Sequence, residues 1–258
     1  MLPADERERL LSSMVRRSFG PRELVLEAGQ PIHHVYFPLH GAASLIVCMR
    51  DGEMTAVGTV GNEGMLGLPL LLGAEHSHAA GIFHTPGEAM VMSAADFRME
   101  TSPGGALVQT MQRYAQGLLS DMCQLAACNR LHPVEQRFCR WMLATHDRVG
   151  HGAVPVTQEF VATMLGVRRA TVNLVVRALE NEGVIEHQRG VVTVLDREGL
   201  EARSCECYAI IRMQYESALC VLPASAYYPS CEDAGTAGSV NTIVVPPRAG
   251  LSAQMRPR

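Results

Sequence analysis

Near Pro103 the hydrophobic pattern of this 258-residue chain changes period, and the change limits what either side can become. From Arg22 to about Ser102, short apolar runs alternate with turn residues: ELVLEAGQP, HHVYFPLHG, SLIVCMRDGEMTAVGTVG and GIFHTPGEAMVM. Runs of this length between Gly, Pro and Asp corners suit strands, and Asp51-Gly52 between two of them suits a hairpin turn. A small β-barrel or roll is expected. Beyond Pro103, Leu107, Met111, Tyr114, Leu118, Met122 and Leu125 follow at steps of three and four, which puts them on one stripe of a helix about six turns long. Gln109, Gln112, Arg113, Gln116 and Asp121 take its other face. Such a stripe can pack on its own β-domain or against a twin helix.

His132-Pro133 interrupts this helix, and Val134–Arg148 begins another that carries the single tryptophan. Residues 4–17 are expected to form a short helix, with acids early and arginines late as the helix dipole favours. Residues 204–222 are expected to form a last helix. Residues 223–258 lose periodicity, gain Pro, Gly and Ser, and suit a flexible tail. The chain is long enough for two domains with their own cores. The expected division is a β-roll over 1–103, a long helix over 104–131, a further domain over 132–203, the helix over 204–222 and the tail.

The segment Val156–Val194, VTQEFVATMLGVRRATVNLVVRALENEGVIEHQRGVVTV, carries the functional signal. Thr157 suits an N-cap, and Phe160, Val161, Met164 and Leu165 give one apolar face. Ala162 is small where a second helix would cross, and Gly166 allows the tight turn between helices. On the next helix, Val172, Val175, Val176 and Leu179 form a buried stripe. Arg169, Asn173 and Arg177 recur every fourth residue on another face, with Arg168 beside them. Arginine can fork onto a guanine edge and asparagine onto adenine, while flanking arginines suit phosphates. VIEHQRGVVTV then reads as two short strands around Gln188-Arg189-Gly190, a wing able to touch the neighbouring backbone. The bland alternative, a helical hairpin with a solvated arginine face, leaves the wing and the Ala/Gly spacing unexplained.

Charge agrees with one small reading head. All 22 basic residues are arginine, a bias of composition that still leaves planar donors wherever phosphate or guanine must be met. The net charge of −4 argues against a protein that coats nucleic acid indiscriminately. Acids and arginines balance within 133–203, so DNA-binding charge must come from placement. No stretch approaches the roughly 20 apolar residues that span a bilayer; Gly64–Ala74 is short and interrupted. The N-terminus MLPADERERLL lacks an apolar signal core, so a cytoplasmic address without membrane association is expected. The eight scattered cysteines are expected to be reduced thiols.

With these motifs in view, the chain resembles the Crp/Fnr family of bacterial transcription factors. The resemblance is best over 156–208, through LGVRRATVNLVVRALENEGVIEHQRGVVTVLDREGLEARSCECY. It is looser over 22–148, where PLHGAASLIV, DGEMTAVGTVGNEGMLGLPLLLG and PGEAMVM are similar to that family's cyclic-nucleotide-binding-like roll. The resemblance implies an α+β architecture: an N-terminal jelly-roll-like β-roll, a long dimerisation helix and a C-terminal winged helix-turn-helix. It implies a transcriptional regulator that binds near-palindromic double-stranded DNA as a homodimer joined through residues 105–130. By motif position, Arg169 would be the chief base reader and Asn173 a second, with Arg168 and Thr171 on phosphates. RNA polymerase and a small-molecule effector stand as further candidate partners.

The effector site departs from the cyclic-AMP pattern. Leu68 and Pro69 stand where the family's ribose-binding glutamate is wanted, and His78-Ala79 is the nearest thing to its Arg-Ser pair. A cyclic phosphate would lack its bidentate partner, so a cyclic-AMP response is not expected. No cysteine precedes Cys48, which argues against the family's N-terminal iron-sulfur cluster.

The rival reading is a metal-dependent cupin-type enzyme fused to a helical domain, resting on His33, His34, His40, His76, His78 and His84 in one β-domain. It lacks a carboxylate at matching spacing. Cys205 with Cys207, and Cys123 with Cys128, are candidate redox pairs, with buried structural thiols as the simpler reading. GNEGMLG lacks the lysine of a phosphate loop. No catalytic residue, resident cofactor or metal ligand is therefore expected, and a dimeric protein-interaction module that ignores DNA is the third reading.

Overall fold

The computed structural model describes residues 2–102, 104–150 and 152–220. The expected tail over 223–258 lies outside them.

Helix α1 (Ala4–Ser12) ends where Ser13 caps it, and Val15–Phe19 leaves as strand β1. The single helix expected over 4–17 is corrected: its second half is taken by the sheet. Val15, Arg16 and Arg17 pair with Val91, Met90 and Ala89, and Arg16 forks onto Glu88 across the ladder. A cross-strand partner 72 residues away outweighs the local helical preference.

Two antiparallel sheets follow. Strands β2 (Glu23–Leu26), β3 (His34–His40), β4 (Ala43–Cys48), β5 (Met54–Val60), β6 (Ala80–Phe83) and β7 (Gly87–Ser93) order as β1-β7-β3 and β2-β6-β4-β5. The expected hairpin turn at Asp51-Gly52 joins β4 to β5, with the Asp51 carboxylate accepting the Glu53 amide N–H at 3.1 Å. Between the sheets Phe19 stacks on Phe83 at 4.5 Å and meets Tyr36 edge-on. The Leu-rich segment after Gly64 makes a one-turn 3₁₀ helix, Leu68–Leu70, and adds Leu66, Leu68 and Leu70 to the core of the roll. Ser93 then caps α2 (Ala94–Thr101), accepting the Asp96 N–H at 3.0 Å.

The long helix α3 (Ala106–Leu131) corrects a second expectation. Leu107, Met111, Tyr114 and Leu118 are 4, 8, 0 and 4 % exposed and join the core of their own β-roll. Met122 packs partly against the same core. Apolar area already desolvated inside the chain is not free for a twin helix, so Leu107, Met111, Tyr114 and Leu118 are taken up by the roll, while Met122 and Leu125 are half-buried. The fit is close: a side chain at Gly64 would put a Cβ 2.1 Å from the Tyr114 ring. On the other side Tyr114 stacks on Tyr215 of the final helix at 6.2 Å.

The remaining elements are α4 (Val134–Val149), β8 (Ala153–Val154), α5 (Gln158–Leu165), α6 (Arg169–Asn181), β9 (Ile185–Gln188), β10 (Val191–Val194), α7 (Arg197–Ala202) and α8 (Cys207–Cys220). Strands β8, β10 and β9 form a small sheet. The last helix begins at Cys207, three residues later than expected, after a turn through Cys205. Phe138, Trp141, Met142, Val161, Leu165, Val172, Val176 and Leu179 build a second core, and Ile46 and Ala56 of the β4–β5 hairpin belong to it. Arg148 at the end of α4 pairs with Glu63 of the roll at 2.8 Å, and its carbonyl accepts the Gly41 N–H at 3.1 Å.

Candidate nucleic-acid interface

Thr157 starts α5 as expected, its hydroxyl accepting the Phe160 N–H at 3.2 Å. The same oxygen accepts Arg22 Nη2 at 2.8 Å, from the turn between β1 and β2. Gly166 ends α5 at φ +62°, ψ 43°, left-handed backbone that suits glycine. The Val167 N–H returns to the Ala162 carbonyl at 3.0 Å, and the Arg137 guanidinium donates to the freed Leu165 carbonyl. Ala162 is buried at the crossing. Arg168 stands at the N-cap of α6 in extended conformation.

Val172, Val175, Val176 and Leu179 bury one side of α6. Arg168, Arg169 and Arg177 are exposed, while Thr171 and Asn173 are half-buried on the same helix. Arg168, Arg169 and Arg177 have no carboxylate partner among the described residues. Elsewhere arginines are commonly paired, as in Arg148–Glu63 and Arg197–Asp147 at 2.8 and 2.7 Å. Leu174, which the sequence reading passed over, is 70 % exposed on this helix. A leucine that turns from the core among donor groups is suited to a thymine methyl; its break from the buried stripe was the signal available in the sequence.

The wing lies beside α6. The Glu180 carboxylate accepts the His187 backbone N–H at 2.9 Å and so ties the end of α6 to β9. At the tip Arg189 and Gly190 have φ +49° and +80°, a two-residue turn with both central residues left-handed. Arg189 is exposed and without a carboxylate partner among the described residues. Gln188 is exposed and donates to Glu186 at 2.7 Å. The fold therefore gathers Arg168, Arg169, Thr171, Asn173 and Arg177 on one helix, with Gln188 and Arg189 at the adjoining wing.

The β-roll histidines do not converge. His33, His34, His40, His76 and His78 are exposed, and His84 is buried against the second core, 5.7 Å from both Trp141 and Phe160. Its Nδ1 lies 2.9 Å from Ser44 Oγ. Burial, helped by the Arg148 charge, pushes the imidazole down to about 3. Around Leu68–Leu70 the chain has no arginine between Gly61 and His84. A cavity of about 410 Å³ opens between β5, α3, α4 and α8, with Asp121, Arg140, Arg148 and Tyr215 on its walls. Burial raises the Asp121 carboxyl to about 6.

One cluster forms where no metal ligand was expected. Cys128, His132, Cys205 and Cys207 bring one donor atom each to within 4.8 Å of one another. Cys123, the supposed partner of Cys128, is exposed. Its halves, Cys-x3-His at the end of α3 and Cys-x-Cys more than 70 residues later, lie too far apart in the chain to read as one motif. The helical i, i+4 step was the usable signal.

Residues 16–100 match the family model described as cyclic nucleotide-binding domain, and residues 136–203 match the Crp-like helix-turn-helix domain. No curated protein matches the chain in sequence. Among solved structures, FixK2 from Bradyrhizobium japonicum is similar at 13 % identity and TM-score 0.63, covering 74 % of this chain and 98 % of its own. A CRP-family transcriptional regulator from Thermus thermophilus is similar at 20 % identity and TM-score 0.61, covering 73 % and 96 %. The c-di-GMP responsive global regulator CLP of Xanthomonas campestris is similar at 20 % identity and TM-score 0.57, covering 74 % and 99 %. No helix among the described residues is long and apolar enough to cross a membrane.

Proposed function

Because the chain belongs to the Crp/Fnr family of transcriptional regulators, we propose that it works as a homodimer that reads a near-palindromic DNA site through α6 and the wing. Residues 1–103 sense, 104–131 connect and 132–203 read. The observation that carries this is the unpaired guanidinium face of Arg168, Arg169 and Arg177, continued by Arg189 on the wing. Exposed arginines without carboxylates are free to neutralise phosphate. Arg169 and Asn173, one turn apart, meet base edges, while Arg168, Thr171, Arg177, Gln188 and Arg189 hold the backbone. Two such heads would fall on half-sites one DNA turn apart.

The dimer seam in this reading is the outer face of α3. Gln112, Gln116, Leu119, Cys123 and Ala126 are exposed and follow at steps of 4, 3, 4 and 3, the spacing of a two-helix seam. A small-molecule effector that entered the cavity beside Asp121 and Tyr215 would touch the roll, α3 and α4 at once. The arginine-free loop around Leu68–Leu70 favours an effector other than a cyclic phosphate.

The test is selection of DNA from a random pool with wild type and Arg169→Ala in parallel. Wild type is expected to enrich an inverted repeat. The variant is expected to lose preference at one symmetric position and about 1–3 kcal/mol per half-site. Equal affinity of both proteins for all sequences would sink the reading.

A further inference from the structure

We infer that Cys128, His132, Cys205 and Cys207 form a closed tetrahedral site for one zinc ion, which clamps together the two ends of the DNA-reading head. Cys128 Sγ lies 3.6 Å from Cys205 Sγ, and Cys207 Sγ lies 3.5 Å from His132 Nδ1. Zinc bonds of about 2.3 Å to sulfur and about 2.0–2.1 Å to nitrogen, at tetrahedral angles, put two sulfurs about 3.8 Å apart and a sulfur about 3.6 Å from a nitrogen. The four donors thus already stand near the corners of a zinc tetrahedron. The 3.6 Å gap between Cys128 and Cys205 is far beyond a sulfur–sulfur bond of about 2.05 Å. All four atoms lie within 4.8 Å of one another, which leaves room for a single ion at their centre.

The surroundings suit a metal as well. Glu206 Oε1 lies 3.3 Å from His132 Nε2, so a proton held there leaves Nδ1 as the free lone pair, the carboxylate–histidine arrangement common behind zinc ligands. Gln124 Nε2 donates to Cys207 Sγ at 3.0 Å, a bond that suits a thiolate. Cys128, Cys205 and Cys207 are buried at 0, 3 and 0 % exposure. Three thiolates and a neutral imidazole around Zn²⁺ carry one net negative charge. The guanidiniums of Arg137 and Arg140, themselves buried, stand close enough to act on the Cys128 sulfur. Binding releases the three thiol protons to solvent and moves no electron. With four protein ligands the ion has no open position, which makes the site structural rather than catalytic.

Its position gives it a role. Cys128 and His132 lie at the end of α3, just before the head begins, while Cys205 and Cys207 lie just after α7, where the head ends. An ion there holds both ends of the head to the connecting helix.

The test uses the full-length chain without a tag, under reductant. Elemental analysis is expected to find about one zinc per chain as isolated. After removal of metal by chelator, a Co²⁺ titration is expected to saturate near one equivalent, with thiolate-to-metal and tetrahedral ligand-field bands that Zn²⁺ abolishes. Cys123→Ser keeps the stoichiometry, and the double variant Cys205→Ser/Cys207→Ser loses it along with the bands. The inference is overturned if the wild type takes up neither ion while its thiols all react with Ellman's reagent. Full metal retention by the double variant overturns it equally. The titration of wild type needs no variant, so it decides the matter even where the double variant fails to fold. DNA binding is not the readout, so failure here and failure of the regulator reading are separable.

Discussion

Arg189 sits where an arginine is a costly choice. Left-handed backbone costs a residue with a Cβ about 1–2 kcal/mol, and asparagine before glycine is the usual solution for a two-residue turn of this kind. Arg189→Asn should therefore raise stability by roughly 0.5–1 kcal/mol in a denaturant titration. In the proposed function it should also reduce the slope of log affinity against log salt by about 1 per protomer. An unchanged slope would remove Arg189 from the phosphate contacts. Residue types were the part of the interface that sequence could supply: Arg168, Arg169, Asn173 and Arg177 are recognisable by chemistry and by helical step. Leu174 and the Cys128–His132–Cys205–Cys207 set were not read, because what singles them out is exposure in one case and convergence of distant segments in the other.

Among the elements, α3 shows what periodicity settles and what it leaves open. The repeat at Leu107, Met111, Tyr114 and Leu118 specified a helix with one apolar face, and that face exists. A repeat does not name its partner, and the partner is the roll of the same chain. The face left to solvent begins one residue over, with Leu119 at 58 % exposed against 4 % for Leu118. In the proposed function, Leu119→Arg should leave the thermal midpoint of the protomer nearly unchanged while converting the dimer to monomer in sedimentation at micromolar concentration. Leu118→Arg should unfold the roll, since it buries an unpaired charge. A Leu119→Arg protein that still sediments as a dimer would move the seam elsewhere. The division between α1 and β1 was lost for a related reason, since Val15–Arg17 become a strand only when β7 is present to pair with them.

At the scale of the whole molecule, the roll and the reading head share side chains, which two domains inferred from a change of sequence texture did not announce. His84 leaves the roll to sit between Trp141 and Phe160 of the head. With its folded value lowered to about 3 and an unfolded value of 6.5, it is neutral in both states above pH 6.5 and adds no pH dependence there. As pH falls from 6.5 toward 3, the unfolded chain takes a proton that the folded chain refuses, and stability drops by up to about 1.4 kcal/mol per unit. Between about pH 6.5 and 5 the urea midpoint of the wild type should therefore fall relative to that of His84→Gln. Parallel pH profiles for the two proteins would refute this role of His84.

Ile46 and Ala56 complete the head's core from the β4–β5 hairpin, and the hairpin is in this sense a latch. Any swing of the head away from the roll would wet these two residues and the ring of His84 and break the Arg148–Glu63 pair, so the fraction of molecules with an unlatched head depends on how well that hairpin fits. Each increment of about 1.4 kcal/mol added to or taken from the fit changes that fraction tenfold. In the proposed function, substitutions at Ile46 or Ala56, away from α6 and the wing, would then retune occupancy of the DNA site.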